Sequence, residues 1–249
     1  VRNAFRDFFR RIRVGRHVRT NGDLYNYRGL EVECPLSAGL GVCNALMRGK
    51  YERDEADMIL AHLPAHLPVI ELGGSLGVVS RLIRSRLDAR TRHLVVEANP
   101  RIVETCRKNA TRDAEDGATD VVNAALYYGA ARASFTLGPD VHSNALSGTG
   151  RRGEEIEVDT VSLSALHQRL GAPERFALVS DIEGGEYQII RHEPDMLAKV
   201  EIAIVEIHPA AFAAEGGSEA AFLAAFHERG LVEIDRRGDV VVMSRAGTV

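Results

Sequence analysis

From residue 68 the chain alternates between two hydrophobic periods. Short apolar runs at residues 68–72, 93–97, 120–124, 176–181 and 200–207 have the length and branched-aliphatic content of strands buried on both faces. Between them, residues 76–86, 101–112, 164–170 and 186–192 carry apolar positions at helical spacing. Pro100 stands at the start of the second of these helices, where its missing N–H costs nothing. Shorter strand-like runs at 133–137 and 155–163 interrupt the alternation. A last helix, 219–229, leads to two strands, 231–235 and 240–244, joined through Arg236-Arg237-Gly238-Asp239. Strands alternating with helices predict a parallel sheet covered on both faces, with right-handed crossovers. The final two strands are too close in sequence for a crossover and predict an antiparallel hairpin. The expected fold is α/β: a mostly parallel seven-stranded sheet ending in an antiparallel hairpin, over residues 67–249.

Residues 1–66 read as an extension in front of that sheet. The pattern predicts a helix at about 2–13, short strands at 24–27 and 30–34 with Asn21-Gly22 and Arg28-Gly29 as turn signals, and helices near 37–47 and 53–63. The first helix carries Arg2, Arg6, Arg10, Arg11, Arg13, Arg16 and Arg19 against Asp7, and Phe5, Phe8, Phe9 and Ile12 form one stripe. Two readings are open. The helix is a basic amphipathic element for an anionic membrane surface or polyanionic substrate, or it packs its aromatic stripe on the domain or a second subunit.

The loop after the first core strand points to an adenosine-containing ligand. Val69-Ile-Glu-Leu-Gly-Gly-Ser-Leu-Gly77 runs from strand into glycine turn, and the next strand ends in Glu97. Glycines let a ligand approach the backbone, and a carboxylate at that second strand tip can accept from both ribose hydroxyls. The dinucleotide pattern G-x-G-x-x-G would need glycine at 73, 75 and 78, but Ser75 and Val78 occupy two of those places. Glu71-x-Gly73-x-Ser75-x-Gly77 reads instead as E-x-G-x-G-x-G with a serine in the middle, the arrangement of S-adenosylmethionine sites. The terminal hairpin agrees, since nicotinamide dehydrogenases keep their sixth strand parallel. The expected cofactor contacts are Glu71, Gly73, Gly74, Ser75, Gly77, Glu97, Ala98, Asn99, Asn123, Ala124 and Asp181, with the Asn123 amide reading the adenine edge. A nicotinamide-dependent oxidoreductase and a non-catalytic S-adenosylmethionine-binding subunit are the alternatives.

The fourth and fifth strands end in ionisable groups. Asp181, Glu183 and Glu186 fall within six residues and would repel one another if buried together, so a sulfonium, an Mg²⁺ ion or a proton must compensate them. Glu206 and His208 share a strand face beside them. His208 is the expected base for an alcohol or phenol hydroxyl, with Asp181 its orienter or a contact to the reacting centre, and Glu183 third. The helix dipole explains Glu186 by itself. The rival arrangement, not favoured, places Mg²⁺ on Asp181, Glu206 and His208.

Glu71-Leu-Gly-Gly-Ser-Leu-Gly77, Val95-Val-Glu-Ala-Asn-Pro100, Val158-Asp-Thr-Val-Ser-Leu163, Asp181-Ile-Glu-Gly-Gly-Glu186 and Val205-Glu-Ile-His208 occur in that order. Together they resemble the FkbM family of S-adenosylmethionine-dependent methyltransferases, over roughly residues 50–210. Gly49-Lys-Tyr-Glu52 is similar to a segment these enzymes carry before the cofactor domain, which adds Tyr51 to the expected cofactor contacts. The resemblance implies a class I, Rossmann-like methyltransferase fold and O-methylation of a hydroxyl on a sugar, glycan or polyketide-type product. The chain departs from the family pattern at Val179, where the K-x-D-x-E-G block has lysine.

Composition narrows the partners. A net charge of −4 gives no reason to expect nucleic acid, leaving a small-molecule or glycan acceptor. Arg151-Arg152 and the N-terminal arginines would favour an acidic one. Cys34, Cys43 and Cys106 have no metal spacing; Cys34 and Cys43 are a disulfide or, preferably, reduced buried thiols. No run is long enough for a membrane span and no signal-peptide pattern is visible, so the expected location is cytoplasmic. The glycine- and serine-rich residues 138–153 are a lid, an acceptor-recognition loop or a plain surface loop.

Overall fold

The computed structural model describes residues 2–138, 145–146 and 153–245, with side chains from Phe9 onward outside 139–152. The lid expectation and Arg151-Arg152 lie largely outside the described residues. Helix α1 (Arg2–Asn21) runs well past its predicted end, because Val14 is fully buried and Val18 packs beside it, which carries the helix through Gly15. Of the aromatic stripe, Phe9 and Ile12 are 53% and 44% exposed, and the side chains of Phe5 and Phe8 lie outside the described residues. Strands β1 (Leu24–Tyr27) and β2 (Leu30–Glu33) form a hairpin whose two turn residues, Arg28 and Gly29, both have positive φ, the turn that matches strand twist. Helices α2 (Leu40–Met47) and α3 (Arg53–His62) complete the extension. The Cys34 and Cys43 sulfurs stand 3.7 Å apart as free thiols.

The core alternates as expected: β3 (Val69–Leu72), α4 (Val78–Arg86), β4 (His93–Val96), α5 (Val103–Thr111) and β5 (Thr119–Val122). Strands β6 (Ala125–Leu126), β7 (Arg132–Leu137), β8 (Ala145–Leu146) and β9 (Glu154–Val161) follow, then α6 (Leu163–Arg169), β10 (Phe176–Ser180), α7 (Glu186–His192) and β11 (Val200–Glu206). Two short helical pieces lacked a clear periodic signal, a 3₁₀ turn over Pro194–Lys199 and α8 (Pro209–Ala214). Helix α9 (Glu219–Glu228) precedes β12 (Leu231–Arg237) and β13 (Val240–Arg245). Arg236 and Arg237 belong to β12, so the turn is Gly238-Asp239 alone.

The seven-stranded sheet has the order β12-β13-β11-β10-β3-β4-β5, parallel except for β13, which pairs antiparallel with both neighbours. β6, β9, β7 and β8 form a separate small sheet beyond β5. Both faces of the main sheet are apolar, which is why its strands read as continuous hydrophobic runs. Val69, Val179, Ile204 and Val242 pack on one side with Val14, Tyr27, Leu46 and Ile59, so the extension shares the main core. Ile70, Leu178, Ala203 and Met243 face the other side with Phe212, Phe222 and Phe226. Among the described residues no helix is long and apolar enough to cross a membrane.

Gly77 caps α4 at φ +75°, and a Cβ there would lie 2.4 Å from the Cys106 carbonyl oxygen of α5. Gly117 has the same φ but open space around it. Gly77→Ala should therefore destabilise by about 2–5 kcal/mol in urea unfolding and Gly117→Ala by only about 1–2. Equal losses would mean that backbone conformation alone, and not helix approach, requires Gly77.

Candidate active site

The carboxyl ends of β3, β4 and β10 meet around a cavity of about 890 Å³, including its mouth. Gly73, at φ +92°, is where the loops after β3 and β10 touch: a Cβ there would stand 2.0 Å from the Asp181 carbonyl oxygen. Its N–H and that of Gly74 donate to Val96 O at 2.9 and 3.0 Å, which ties the glycine loop to β4. Ser75 takes a left-handed conformation, φ +47°, and its N–H donates to Glu97 Oε2 at 2.6 Å. Glu97 Oε1 accepts from Asn99 N–H at 2.7 Å, so one carboxylate clamps both loops while lining the cavity. Burial raises its pKa against those two amide donors, with the Glu71 charge adding, up to about 7.

Several sequence expectations change here. Glu71 is 2% exposed and lies off the cavity wall; its Oε1 accepts from Ser80 Oγ at 2.8 Å and its Oε2 lies 2.8 Å from His93 Nε2. It braces β3 against α4 and β4. Gly77 and Asn99 are likewise off the wall, Gly77 packing on α5 and Asn99 Oδ1 accepting from Arg101 N–H at 2.9 Å. Asn123 commits its amide to Glu97 O and Ala98 O, at 2.7 and 3.1 Å, and cannot read an adenine with the same protons. The wall in that region is apolar instead: Ala98, Ala124, Ala125, Leu126 and Phe135. Phe135 comes from β7, whose proximity no short-range sequence signal announces. Tyr51 lines the cavity, its hydroxyl 3.5 Å from Ser75 Oγ and its carbonyl accepting from Tyr27 OH at 2.8 Å.

The other end of the cavity is acidic. Asp181 and Glu183 line it, as do Glu52, just before α3, and Glu55, in its first turn. Sequence reasoning missed the last two, although Glu55 sits on the same helical stripe as buried Met58 and Ile59. Glu186 does more than meet a helix dipole: its Oε1 accepts from Ile182 N–H at 2.6 Å and its Oε2 from Gly184 N–H at 2.9 Å, so it holds the loop after β10. Glu52, Ser75 and Glu183 are three non-glycine residues at positive φ, and all three line the cavity. Strain of that kind persists where the surroundings over-determine it, often at functional sites.

His208 stands behind Asp181 and Glu183 and is not on the cavity wall. Its Nε2 lies 3.5 Å from Asp181 Oδ1 and 3.6 Å from Glu183 Oε2, and its Nδ1 lies 3.8 Å from Glu186 Oε2. Burial disfavours the imidazolium, but Glu186, Asp181 and Glu183 together outweigh it and push its pKa up to about 9. Asp181 is pushed well above the carboxylate range by burial, then by the Glu206 and Glu52 charges, with His208 opposing. Glu206 is raised by burial and Glu52, again with His208 opposing. Asp181, Glu206 and His208 also offer ligand atoms within 4.8 Å of one another.

A bare-backbone turn, a carboxylate at the second strand tip, an apolar slot and an acidic far end fit an adenosyl sulfonium. Residues 71–232, more than half of the chain, match the profile of the methyltransferase FkbM domain. The chain belongs to the FkbM methyltransferase family. Its fold is the class I S-adenosylmethionine-dependent methyltransferase fold, and family membership removes the nicotinamide alternative. No curated protein matches the chain. Among solved structures, Streptococcus pneumoniae Sp1610, a candidate tRNA (m1A22) methyltransferase, has a TM-score of 0.45 at 10% identity over 76% of this chain and 68% of its own. Magnesium protoporphyrin IX methyltransferase from Synechocystis, solved with S-adenosylhomocysteine, has a TM-score of 0.44 at 11% identity over 98% and 99%. The N-methyltransferase NodS of Bradyrhizobium japonicum has a TM-score of 0.44 at 11% identity over 78% and 96%.

His208 gains its charge partners on folding, so its contribution to stability is complete below its ordinary value of 6.5 and is lost as pH rises through about 9. An NMR titration of the His208 imidazole should accordingly show a midpoint near 9. A midpoint below 7 would mean that burial outweighs the surrounding acids.

Proposed function

We propose that this FkbM methyltransferase moves a methyl group from S-adenosylmethionine to a hydroxyl of a sugar, glycan or natural-product acceptor, with Asp181 receiving the hydroxyl proton. The observation that supports this most is that Asp181 faces the cavity while the His208 imidazole stands 3.5 Å behind it. Bound S-adenosylmethionine supplies an electrophilic methyl group on a cationic sulfur. Glu97 has lone pairs left for the ribose hydroxyls after accepting from Ser75 and Asn99. Ala98, Ala124, Leu126 and Phe135 suit the adenine, while Gly73, Gly74 and Tyr51 border the amino-acid end.

The roles expected from the sequence are exchanged in this reading. An imidazole held protonated through the neutral range cannot accept a proton there, whereas a carboxylate whose proton affinity burial and neighbouring acids raise is a more effective base in its ionised form. Asp181 takes the acceptor proton as the acceptor oxygen bonds to the methyl carbon, and His208 balances the charge behind it. Glu183 shares the imidazolium at 3.6 Å. The second reading, Mg²⁺ on Asp181, Glu206 and His208, has the 4.8 Å cluster in its favour but requires His208 to lose the proton its neighbours stabilise.

With an active acceptor, Asp181→Asn should lower turnover by about 10²–10⁴-fold. His208→Gln should lower it less and move the acidic limb of the pH profile upward, because Asp181 loses its nearby cation. If His208→Gln is the deeper loss and the wild-type limb sits near 9, the imidazole is the base; turnover lost in EDTA and restored by Mg²⁺ would instead establish the metal.

Glu97 yields a separate expectation. Protonating a carboxylate removes acceptor sites, so calorimetric affinity for S-adenosylhomocysteine should weaken as pH falls through about 7. Glu97→Gln should bind about tenfold more weakly or worse and lose that pH dependence. An unchanged affinity would move the ribose elsewhere.

A further inference from the structure

The cavity does not stop at Asp181. Glu52 and Glu55 line it, and the same two residues line a second, polar cleft walled by Lys50, Glu206 and the Gly238-Asp239 turn. Glu55, at the junction, is 6% exposed. The other deeply buried acids each have partners: Glu71 has Ser80 and His93, Glu97 has two amides, and Glu186 has two more. No hydrogen bond or ion pair within the described residues reaches the Glu55 carboxylate. The rim arginines Arg53 and Arg237 are turned to Asp57.

A helix dipole favours an acid in the first turn of α3, where Glu55 lies, but that effect is much smaller than the cost of burying a carboxylate without a partner. Burial lifts the Glu55 pKa well above the usual range, and the Asp181, Glu52, Glu71 and Glu206 charges add to it. Buried charges persist when something pairs with them. Lys50, on the cleft wall, makes no ion pair with Glu55, so the carboxylate is left for a compact cation with N–H donors delivered through the cavity or the cleft.

We propose that the Glu55 carboxylate is the seat for an ammonium group of a small molecule bound at this junction. The inference rests on the methyltransferase reading of the cavity. Two molecules can carry that ammonium: the nucleoside cofactor at its amino-acid end, or an amine-bearing acceptor entering from the cleft. Either way Glu55 contributes affinity and specificity to ligand binding and takes no part in the proton transfer assigned to Asp181.

Calorimetry on wild type and Glu55→Gln separates the sources. The probes are S-adenosylhomocysteine, 5′-methylthioadenosine, which lacks the amino-acid end, and glucosamine and glucose added to protein saturated with S-adenosylhomocysteine. If the cofactor brings the ammonium, Glu55→Gln weakens S-adenosylhomocysteine by about tenfold or more and leaves methylthioadenosine within about twofold. If the acceptor brings it, both nucleosides keep their affinities, glucosamine binds wild type about tenfold more tightly than glucose, and Glu55→Gln erases that preference. A variant that alters neither the S-adenosylhomocysteine affinity nor a glucosamine preference overturns the proposal, as does the absence of any such preference when the nucleoside affinities are unchanged. Failure of S-adenosylhomocysteine to bind wild type removes the methyltransferase reading itself, a distinct result. Glutamine removes an unpartnered buried acid, so the variant should melt higher than wild type. Should it not fold, Glu55→Asp, which keeps the charge but withdraws it by one methylene, is read in the same arms.

Discussion

The contact between Gly73 and the Asp181 carbonyl is the constraint on which the site depends. β3 lies between β4 and β10, and the loops leaving it must turn over both neighbours at once. A side chain at 73 would push the β10 loop away by the width of an atom, since its Cβ would stand 2.0 Å from that carbonyl oxygen. With the Cβ absent, the glycine loop hydrogen-bonds to Val96 on one side and touches Asp181 on the other. Glu97 then closes the arrangement by accepting from Ser75. The ribose candidate and the proton-transfer candidate are thus held to the same short loop, and methyl transfer depends on alignment of that kind.

Charge is the second organising fact. Asp181, Glu183, Glu52, Glu55 and Glu206 converge on the cavity and cleft, with His208 beside Asp181 and Glu183, and Lys50, Arg53 and Arg237 on the cleft wall. Burial, and then repulsion among the acids, raises the pKa values of Asp181, Glu55 and Glu206 and favours any cation that enters. A sulfonium ligand and its uncharged thioether product therefore experience this site differently. Attraction is strongest before transfer and weaker after it, which favours release of the demethylated nucleoside.

The sheet was legible because its chemistry is periodic. Apolar runs of strand length, helical spacing between them and a short final connection gave every strand of the main sheet to within a few residues and the antiparallel hairpin at its end, though not the insertion of β13 between β11 and β12. The contents of the site were less legible, for a physical reason. Motif spacing says which residues lie near strand ends, but not which way a side chain turns once neighbours compete for it. Glu71 turned under the loop because Ser80 and His93 offered partners there, and Asn123 turned to the backbone of the β4 loop. His208 and Asp181 were correctly brought together; their order from the cavity inward depends on the loop held by Glu186, a long-range result that sequence patterning does not express.

The extension also supplies part of the site. Tyr51, Glu52 and Glu55 belong to it, yet they line the same cavity as Asp181. Their positions follow from packing: Tyr27 donates to the Tyr51 carbonyl, and Ala56, Met58 and Ile59 of α3 sit in the same apolar cluster as Val179 and Ile204 of the sheet. The family's lysine before Asp181 is replaced by Val179, which is buried in that cluster at 1% exposure and offers α3 an apolar surface. Part of the cavity wall is therefore built from the seam between the extension and the sheet rather than from the glycine loop. Glu52, which precedes α3, and Glu55, in its first turn, give that wall its acidic character.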